Sequence, residues 1–245
     1  MRAMIFCAGL GTRLRPLTDT IPKALVSING KTLLQYQIER LCEAGIKDIV
    51  VNVHHFPDLI IDYIAKNDAF GCNIQVSDER DMLLDTGGGL LNATSLLGND
   101  NVLACNVDIL SNININAFIH TYNGELASLV VSDRKTQRYL LFDEEHRMQG
   151  WTNITTGEVR GEYKEHFTHL AFSGMQILSS EIYPLAKQYS QHHGRKFSLI
   201  DLYLSLCKEH SIKAYIPDNY RMTDVGKPKS LAEAEQFMSA LNTYN

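Results

Sequence analysis

Short apolar runs alternate with segments of helical periodicity along the first half of the chain. The apolar runs that predict strands lie at 3–7, 48–53, 74–77 and 102–105. The segments that predict helices between them lie at 33–42 and 59–65. Because the runs around Val50 and Leu103 are apolar without alternation, we expect helices to cover both faces of their sheet. The pattern therefore predicts an α/β fold with a doubly wound, mostly parallel sheet.

In a Rossmann-like sheet of this kind, ligands bind outside the carboxyl ends of the strands. The segments that should carry chemistry are those that follow Cys7, Val53, Ser77 and Cys105. Candidate functional residues are therefore sought first in these four places.

The second half of the chain has a different pattern, with shorter apolar runs separated by polar turns. The runs at 126–132, 139–142 and 167–178 predict a small strand-rich lobe inserted at approximately 126–178. The elements predicted after it are helices at 181–189 and 198–209, a strand near 214–216 and a helix at about 230–241. Because no repeat or linker interrupts the sequence, residues 1–245 are expected to form a single domain.

Composition and charge narrow the possible partners. The chain has 245 residues, 44% hydrophobic residues and a net charge of −5, so no basic surplus indicates binding to nucleic acid or to an anionic membrane. Its five cysteines are widely spaced and form no CxxC pair, which favours reduced, buried thiols over a disulfide framework or a zinc cluster. Without a signal-like start or an 18-residue apolar span, we expect a soluble cytoplasmic protein.

A glycine-bearing loop with two arginines follows the first predicted strand. It reads Ala8-Gly9-Leu10-Gly11-Thr12-Arg13-Leu14-Arg15-Pro16. Glycines let backbone N–H groups approach phosphate oxygens, and guanidinium groups are permanently charged donors to them. The loop matches neither a Walker motif nor a dinucleotide-binding fingerprint. The alternative is a glycine turn whose arginines are simply exposed to solvent.

Lys23 follows in a stretch that Pro22 stiffens and apolar residues flank. A lysine held in this way delivers a point charge to a fixed place, which suits a phosphoryl group. The alternative is an ordinary solvated lysine, since lysines are rarely buried.

Three consecutive glycines, Gly87 to Gly89, precede an apolar segment at 90–97 that predicts a helix. We interpret them as a turn at a helix N-terminus, where free amides bind an anion and missing Cβ atoms admit a flat base or sugar. The alternative is a flexible connection.

Two aspartates from distant parts of the chain are candidates for one metal site. Asp108 ends the apolar run at 102–105, and Asp224 precedes the last predicted helix. Mg²⁺ takes one or two protein carboxylates and completes its octahedron with water and substrate phosphates. Alternatively, Asp108 could cap a helix near Asn116, and Asp224 could be a turn residue.

Taken together, these motifs resemble the nucleotidyl transferase family of sugar-nucleotide pyrophosphorylases. The residues that carry the resemblance are 9–18 (GLGTRLRPLT), 22–25 (PKAL), 86–89 (TGGG), 106–108 (NVD), 172–174 (FSG) and 224–226 (DVG). Their order and spacing match over nearly the whole chain. Within the family, the short form resembles the N-acetylmuramate-1-phosphate uridylyltransferases of cell-wall recycling.

The resemblance implies that a sugar 1-phosphate attacks the α-phosphorus of a nucleoside triphosphate and that pyrophosphate leaves. It implies catalytic roles for Arg13 and Lys23, Mg²⁺ as the cofactor, and Asp108 and Asp224 as the metal ligands. The residues that it places against the nucleotide are Ala8, Gly9, Gly11, Thr12, Glu79, Gly87 and Gly88. The residues that it places at the sugar are Asn106, Ser173 and Gly174.

One departure from the family pattern concerns the charge that holds the sugar phosphate. Many relatives carry a Glu-Lys-Pro in the inserted lobe, whereas the segment at 150–153 reads Gly-Trp-Thr-Asn here. Arg134, Arg138 and Lys164 are equally good candidates to supply that charge at this point.

Several alternatives remain open from the sequence. Within the same chemistry, the substrates could be UTP with N-acetylmuramate 1-phosphate, or GTP with mannose or heptose 1-phosphate. In other classes, a metal-dependent glycosyltransferase or a non-catalytic nucleotide-binding module would also bind a nucleotide. The chain is expected to be a monomer or a small homo-oligomer.

Overall fold

The computed structural model describes residues 1–242. The strands are β1 (Arg2–Phe6), β2 (Ser27–Ile28), β3 (Lys31–Thr32), β4 (Asp48–Val53), β5 (Asn73–Asp78), β6 (Val102–Asn106), β7 (Ile109–Ser111), β8 (Ala127–Ser132), β9 (Arg138–Phe142), β10 (Met148–Asn153), β11 (Glu158–Gly161), β12 (Thr168–Leu178), β13 (Ile212–Tyr215) and β14 (Met222–Asp224). The α-helices are α1 (Leu33–Glu43), α2 (Pro57–Lys66), α3 (Asp85–Asn92), α4 (Thr94–Leu97), α5 (Ile115–Thr121), α6 (Ile182–His193), α7 (Leu199–Leu206) and α8 (Lys229–Asn242).

A mixed sheet forms the centre of the described part of the chain. Its strand order is β11-β10-β9-β12-β6-β1-β4-β5, and β8 pairs with both β12 and β13. The run β6-β1-β4-β5 is parallel, and it contains the four strands predicted in the first half of the chain. This confirms the predicted α/β fold class. The strand-rich segment at 126–178 forms β8 to β12, which join the same sheet through antiparallel pairs.

Helices cover both faces of the sheet, as the apolar strands predicted. Alternate residues of β1 belong to two different cores: Ala3 and Ile5 pack with side chains of α1, α2 and α8 on one face. Met4 and Phe6 pack with side chains of α3, α6 and α7 on the other. A residue substituted in β1 therefore disturbs one core or the other, depending on its parity.

The triple glycine is the clearest difference from the predicted elements. Helix α3 begins at Asp85, so Gly87, Gly88 and Gly89 lie inside it and do not form a turn before it. The predicted turn is therefore wrong. Glycine disfavours helix by only about 1 kcal/mol per residue, which close packing of α3 against its neighbours can offset. The short strands β2, β3, β7, β11 and β14 were also missed, as was β10.

The expectation that all five cysteines are reduced is wrong for one pair. Cys42 in α1 and Cys72, just before β5, are joined by a disulfide across a sequence separation of 30 residues. Cys42 lies in the last turn of α1 and Cys72 directly precedes β5, and their proximity does not follow from their spacing along the chain. The remaining cysteines, Cys7, Cys105 and Cys207, are buried free thiols, and burial raises the pKa of Cys105 to about 12.

Among residues 1–242, none of the helices combines the length and the apolar character that a membrane crossing requires.

Candidate active site

The site lies at the point where successive strands stop being added on one side of β1 and begin to be added on the other side. From β1 the sequence continues to β4 and β5 on one side, and β6 then pairs with β1 on the other side. Such a switch point opens a crevice at the carboxyl ends of the strands. A cleft of about 420 Å³ occupies this position. Its lining residues are Phe6, Cys7, Ala8, Gly9, Gly11, Thr12, Arg13, Lys23, Asn52, Leu83, Asp85, Thr86, Asn106, Val107, Asp108, Lys196 and Gly226.

The glycine loop presents free backbone donors to this cleft. Among the described residues, the N–H groups of 8–11 donate to no other protein group. Gly11 has a φ of 64°, and a Cβ atom there would come within 2.9 Å of Thr18 Cγ2. Thr18 Oγ1 in turn donates to the Gly11 carbonyl at 2.8 Å. The loop is thus held from behind while its amides stay available to an anion.

Arg13 and Arg15 leave this loop in different directions. Arg13 lines the cleft, and its Nη2 lies 3.9 Å from Asp224 Oδ2. Arg15 instead pairs with Asp19 at 3.1 Å, outside the cleft lining. Only the first of the two arginines is therefore placed to meet a bound phosphate.

Lys23 is buried, contrary to the alternative of a solvated lysine. Lys23 is only 8% exposed, and its Nζ contacts Asp108 Oδ2 directly. A short 3₁₀ turn at Lys23–Leu25, which follows Pro22, fixes the backbone there. A buried lysine is stable when it is paired, and the pair places a positive charge on the cleft wall.

A small strand pair brings the two distant aspartates together. Strand β7 follows Asp108, and it pairs with β14 so that Asp224 lies opposite Ile109. The N–H of Val225 donates to the Asp108 carbonyl at 2.9 Å. Asp108 is therefore not the cap of α5, whose N-terminus is capped by Asn114. The two carboxylates converge even though 116 positions separate them in the sequence.

The electrostatics of this pair fit a divalent cation. Burial, followed by the negative charge of Asp108, raises the pKa of Asp224, while Lys23, Arg13 and Arg134 act in the opposite direction. No group of three or more His, Cys, Asp or Glu side chains within residues 1–242 is arranged to hold a metal. Two convergent carboxylates suit an ion that takes its remaining ligands from water and substrate phosphates.

The amides of the triple glycine are not available to a ligand. The N–H groups of Gly87 and Gly88 both donate to the Phe197 carbonyl, at 2.9 and 3.1 Å. A Cβ at Gly87 would lie 2.5 Å from the Phe197 ring, and one at Gly88 would lie 2.2 Å from the Arg195 carbonyl. These glycines let α3 pack against the segment at 195–197, which corrects their interpretation as a free anion-binding turn.

Glu79 lies behind the cleft, where it joins a buried polar network. Asn52 accepts from the Cys7 N–H at 2.7 Å and donates to Glu79 Oε1 at 2.7 Å. Leu84 N–H donates to the other carboxylate oxygen at 3.4 Å. Burial raises the pKa of Glu79, and these two hydrogen bonds counteract that rise. Contact of Glu79 with a base stays a prediction, because in this structure its carboxylate accepts hydrogen bonds from Asn52 and Leu84.

The predicted sugar-binding residues divide between the cleft and the layer beneath it. Asn106 lines the cleft at the end of β6. Ser173 is 1% exposed and lies near Ser132, and neither it nor Gly174 lines the cleft. At Gly174, with a φ of 73°, a Cβ would come within 2.7 Å of Ile109 Cγ1. This close approach brings β12 against the residue that follows Asp108.

Sequence reasoning gave no individual role to several residues on the cleft wall, although Thr86 and Gly226 belong to motifs that carry the family resemblance. The residues concerned are Asn52, Leu83, Asp85, Thr86, Lys196 and Gly226. Asn52 had a usable signal, because it is a polar residue near the carboxyl end of a predicted strand. Lys196 had none, since it enters the site from a loop more than a hundred positions after the glycine loop.

A second cleft of about 620 Å³ adjoins the first, and Asp85 lines both. Its lining residues are Asp85, Arg134, Thr136, Arg138, Tyr139, Leu140, Trp151, Glu158, Arg160, Phe172, Ser198, Ile200 and Asp201. Polar, aromatic and charged side chains are mixed in this lining, as in sites for polar organic ligands.

A family model described as nucleotidyl transferase matches residues 2–240. The chain belongs to this family. This nucleotidyltransferase is an enzyme of the sugar-1-phosphate class, which decides against a glycosyltransferase and against a non-catalytic module. Its convergent loop, lysine and carboxylates lie in the cleft or at its edge.

Two curated relatives match over most of their length. The N-acetylmuramate alpha-1-phosphate uridylyltransferase of Caulobacter vibrioides is 32% identical over 239 residues, which are 95% of each chain. The enzyme of the same description from Neisseria meningitidis serogroup B is 35% identical over 75% of this chain and 77% of its own. The mannose-1-phosphate guanyltransferase of Neurospora crassa is 37% identical over 54% of this chain and 37% of its own.

Solved structures share the fold at low sequence identity. HddC from Yersinia pseudotuberculosis, complexed with GMP-PN, matches with a TM-score of 0.75 at 23% identity, covering 97% of this chain and 99% of its own. A putative glucose-1-phosphate thymidylyltransferase from Bacillus anthracis matches with a TM-score of 0.81 at 17% identity, over 97% and 94% of the two chains. These likenesses confirm the predicted fold class.

Proposed function

We propose that this nucleotidyltransferase joins the uridylyl group of UTP to N-acetylmuramate 1-phosphate and releases pyrophosphate. The observation that carries the choice of substrates is the match with two N-acetylmuramate-1-phosphate uridylyltransferases over 95% and 75% of this chain. The guanyltransferase of Neurospora crassa matches only 54% of it. A role in cell-wall recycling and a cytoplasmic location would accord with these substrates, and both stay predictions.

In the proposed reaction, a phosphate oxygen of the sugar 1-phosphate attacks the α-phosphorus of UTP. The bond from the α-phosphorus to the bridging oxygen breaks on the opposite side, and that oxygen leaves with the pyrophosphate. The free amides of 8–11 would bind the triphosphate, together with Arg13. Such groups stabilise the charge that moves onto the leaving group in the transition state.

Lys23 would bind at the α-phosphate, where charge accumulates as the fifth oxygen approaches. Its burial and its contact with Asp108 fix the ammonium before substrate arrives. Catalysis of this kind depends on positioning and charge neutralisation, and it requires no covalent intermediate with the protein.

The residues proposed to hold Mg²⁺ are Asp108 and Asp224. Their two carboxylates fit the ion because they converge and because burial, followed by the negative charge of Asp108, raises the pKa of Asp224. When bound, Mg²⁺ would neutralise negative charge on the substrate phosphates. The two aspartates themselves keep the ammonium of Lys23 and the guanidinium of Arg13 oriented toward the same place.

The nucleoside would lie at the opposite end of the cleft, near Leu83, Asp85 and Thr86. Gly9 and Gly11 would lie against it from the loop side. Gly87 and Gly88 would act indirectly, because their missing Cβ atoms let Phe197 and Arg195 pack beside α3.

The second candidate is transfer from GTP to mannose or heptose 1-phosphate. The partial likeness to a mannose-1-phosphate guanyltransferase favours it. Glu79 is the acidic residue suited to the donor groups of guanine, but its carboxylate accepts from Asn52 and Leu84 in this structure. We therefore rank the guanylyl reaction second.

A substrate panel tests the proposal directly. Purified protein with Mg²⁺ is mixed with ATP, CTP, GTP, UTP or dTTP and with hexose, heptose, N-acetylglucosamine or N-acetylmuramate 1-phosphate, and pyrophosphate release is measured. We expect the highest kcat/KM with UTP and N-acetylmuramate 1-phosphate, because a pocket that hydrogen-bonds one base rejects others. Efficient turnover with GTP and none with UTP would contradict the uridylyl assignment.

A further inference from the structure

The second cleft is lined by as many arginines as carboxylates, but only one of the arginines forms an ion pair with a carboxylate. Three arginines line it: Arg134, Arg138 and Arg160. Arg160 is already paired, since its Nη2 lies 2.7 Å from Asp201 Oδ1. Within residues 1–242, Arg134 and Arg138 contact no carboxylate. Two guanidinium groups are thus available to an anion that enters this cleft.

Arg134 is the better anchored of the two. It lies on the loop between β8 and β9, and its Nη2 donates to the Phe172 carbonyl at 3.0 Å. Phe172 belongs to β12 and lines the same cleft. One hydrogen bond therefore holds the guanidinium at the wall, while its other N–H groups remain available in their fixed planar arrangement.

The cleft that Arg134 lines also adjoins the cleft that contains the reaction centre. Asp85 lines both clefts, so the second cleft opens into the first. A sugar phosphate in the second cleft would therefore have its phosphate near Arg134 and its reactive oxygen toward the nucleotide.

Three of the other basic residues have partners of their own, and Lys196 lines the nucleotide cleft but not the second cleft. The Lys23 ammonium contacts Asp108, and Arg13 faces Asp224. Lys164 pairs with Glu162 at 2.8 Å and lines a separate cavity with Asp143 and Gln149. That cavity shares no lining residue with either cleft, so Lys164 is not placed to serve the reaction.

Arg138 faces a different opening. It lines a third cleft of about 530 Å³ together with Arg13, Lys135 and Lys227. Arg13 also lines the nucleotide cleft, so this third cleft adjoins the proposed site of the triphosphate. Arg138 is therefore the rival to test against Arg134.

We propose that Arg134 binds the phosphate of the sugar 1-phosphate and holds it for attack on the nucleotide. The inference rests on the proposed function, because it assumes that a sugar phosphate is the second substrate. A guanidinium can donate two parallel hydrogen bonds to phosphate oxygens, which fixes the orientation as well as the position of the attacking group.

The test separates the kinetics of the two substrates. Initial rates of pyrophosphate release are measured for wild type, Arg134→Gln and Arg134→Lys while the sugar 1-phosphate or UTP is varied at saturation of the other. The sugar phosphate used is the one with the highest kcat/KM in the panel described above. Loss of a charged hydrogen bond predicts that Arg134→Gln lowers kcat/KM for the sugar phosphate roughly 10- to 100-fold. KM for UTP should stay within about threefold of the wild-type value. Arg134→Lys should recover part of the lost kcat/KM for the sugar phosphate, because lysine keeps the positive charge at this position.

Two further variants complete the test. Lys164→Gln removes an exposed charge outside the clefts and should behave as wild type. Arg138→Gln should change KM for the sugar phosphate less than Arg134→Gln does.

The inference is overturned if Arg134→Gln keeps wild-type KM and kcat for the sugar phosphate, or if Arg138→Gln alone shows the loss. If thermal melting shows that Arg134→Gln is unstable, Arg134→Lys is used in its place. An equal loss of kcat/KM for the sugar phosphate and for UTP in that variant would also overturn the inference. Failure of the proposed function is distinct, because it shows in the wild type alone, which would then release pyrophosphate with a different pair of substrates or with none.

Discussion

The open edge of the nucleotide cleft and the layer behind it both contain polar side chains, but those side chains have different partners. At the edge, Arg13 and Asp224 are about half exposed, and their closest charged atoms lie 3.9 Å apart. In the layer behind it, Glu79 is 3% exposed and accepts at 2.7 Å from Asn52, which reaches the cleft wall but is only 2% exposed. The charged groups at the edge can still bind a ligand, whereas the buried polar groups already have hydrogen-bond partners within the protein.

The difference indicates a division of labour. Buried polar groups whose partners are all within the protein stabilise one arrangement of the backbone, because leaving them unpaired is costly. Charged groups with incomplete partners are available to bind and to stabilise a transition state. Substitutions at the edge should therefore change turnover, whereas those behind the cleft should first change stability.

The largest effect is expected for the carboxylates at the edge. Asp224→Asn should lower kcat by roughly 1,000-fold or more, because one of two proposed Mg²⁺ ligands is lost. The melting temperature should be unchanged or raised, since the substitution removes repulsion between Asp224 and Asp108. Pyrophosphate release and thermal melting measure the two quantities. Asp78→Asn is a control at another strand end, because Asp78 pairs with Arg80 outside the cleft lining.

A smaller loss of turnover is expected for the arginine of the glycine loop. Arg13→Ala should lower kcat about 100-fold, because the leaving phosphates lose one donor in the transition state. Arg15→Ala is the matched control two positions away, since its side chain pairs with Asp19. Equal kinetics in the two variants, measured as kcat and KM for UTP, would return Arg13 to the role of a surface residue.

At the cleft wall, Asn52→Ala should act first on stability, because the Asn52 side chain hydrogen-bonds to the Cys7 N–H and to the buried Glu79. It removes the partners of the Cys7 N–H and of Glu79, so the free energy of unfolding should fall by about 2 to 3 kcal/mol. Urea unfolding measures this change. Asn73→Ala removes an exposed asparagine bonded to Asp48 and should alter stability by less than about 0.5 kcal/mol. A similar effect of both substitutions would mean that the buried network contributes little.

The smallest effect is expected inside α3. Gly87→Ala places a Cβ within 2.5 Å of the Phe197 ring, so either the ring or the helix must shift. Overpacking and the gain in helix propensity oppose each other, which leaves a net destabilisation of about 1 kcal/mol. Gly9→Ala is the control for unfolding experiments, because a Cβ there meets nothing within 4 Å. Stability above wild type in Gly87→Ala would show that Phe197 does not pack closely there.

The parts of the molecule that are encoded locally could be predicted from the sequence. The strands β1, β4, β5 and β6 follow from their apolar runs, and the cap of α7 follows from Ser198 and Asp201. The glycine loop and Asp108 follow from residue types at the carboxyl ends of strands, and Lys23 follows from its place between Pro22 and apolar residues. All of these depend on neighbours within about ten positions.

The parts that depend on contacts between distant segments could not be predicted. Strands β7 and β14 have three residues each, too few for a periodic pattern, yet they bring Asp108 and Asp224 together. The N–H of Gly87 in α3 donates to Phe197, and the disulfide joins the end of α1 to the residue before β5. In each case the deciding partner lies 30 or more positions away.

The central claim is that Asp108 and Asp224 act as one site, and a double-mutant cycle tests it most directly. Turnover is measured by pyrophosphate release for wild type, Asp108→Asn, Asp224→Asn and the double variant at saturating UTP, sugar 1-phosphate and Mg²⁺. If both carboxylates bind one ion, either single substitution already removes most of the ion's contribution to turnover. The double variant should then lose little more turnover than the worse single variant. Losses that multiply, to roughly a million-fold for two 1,000-fold effects, would show independent roles and contradict the single site.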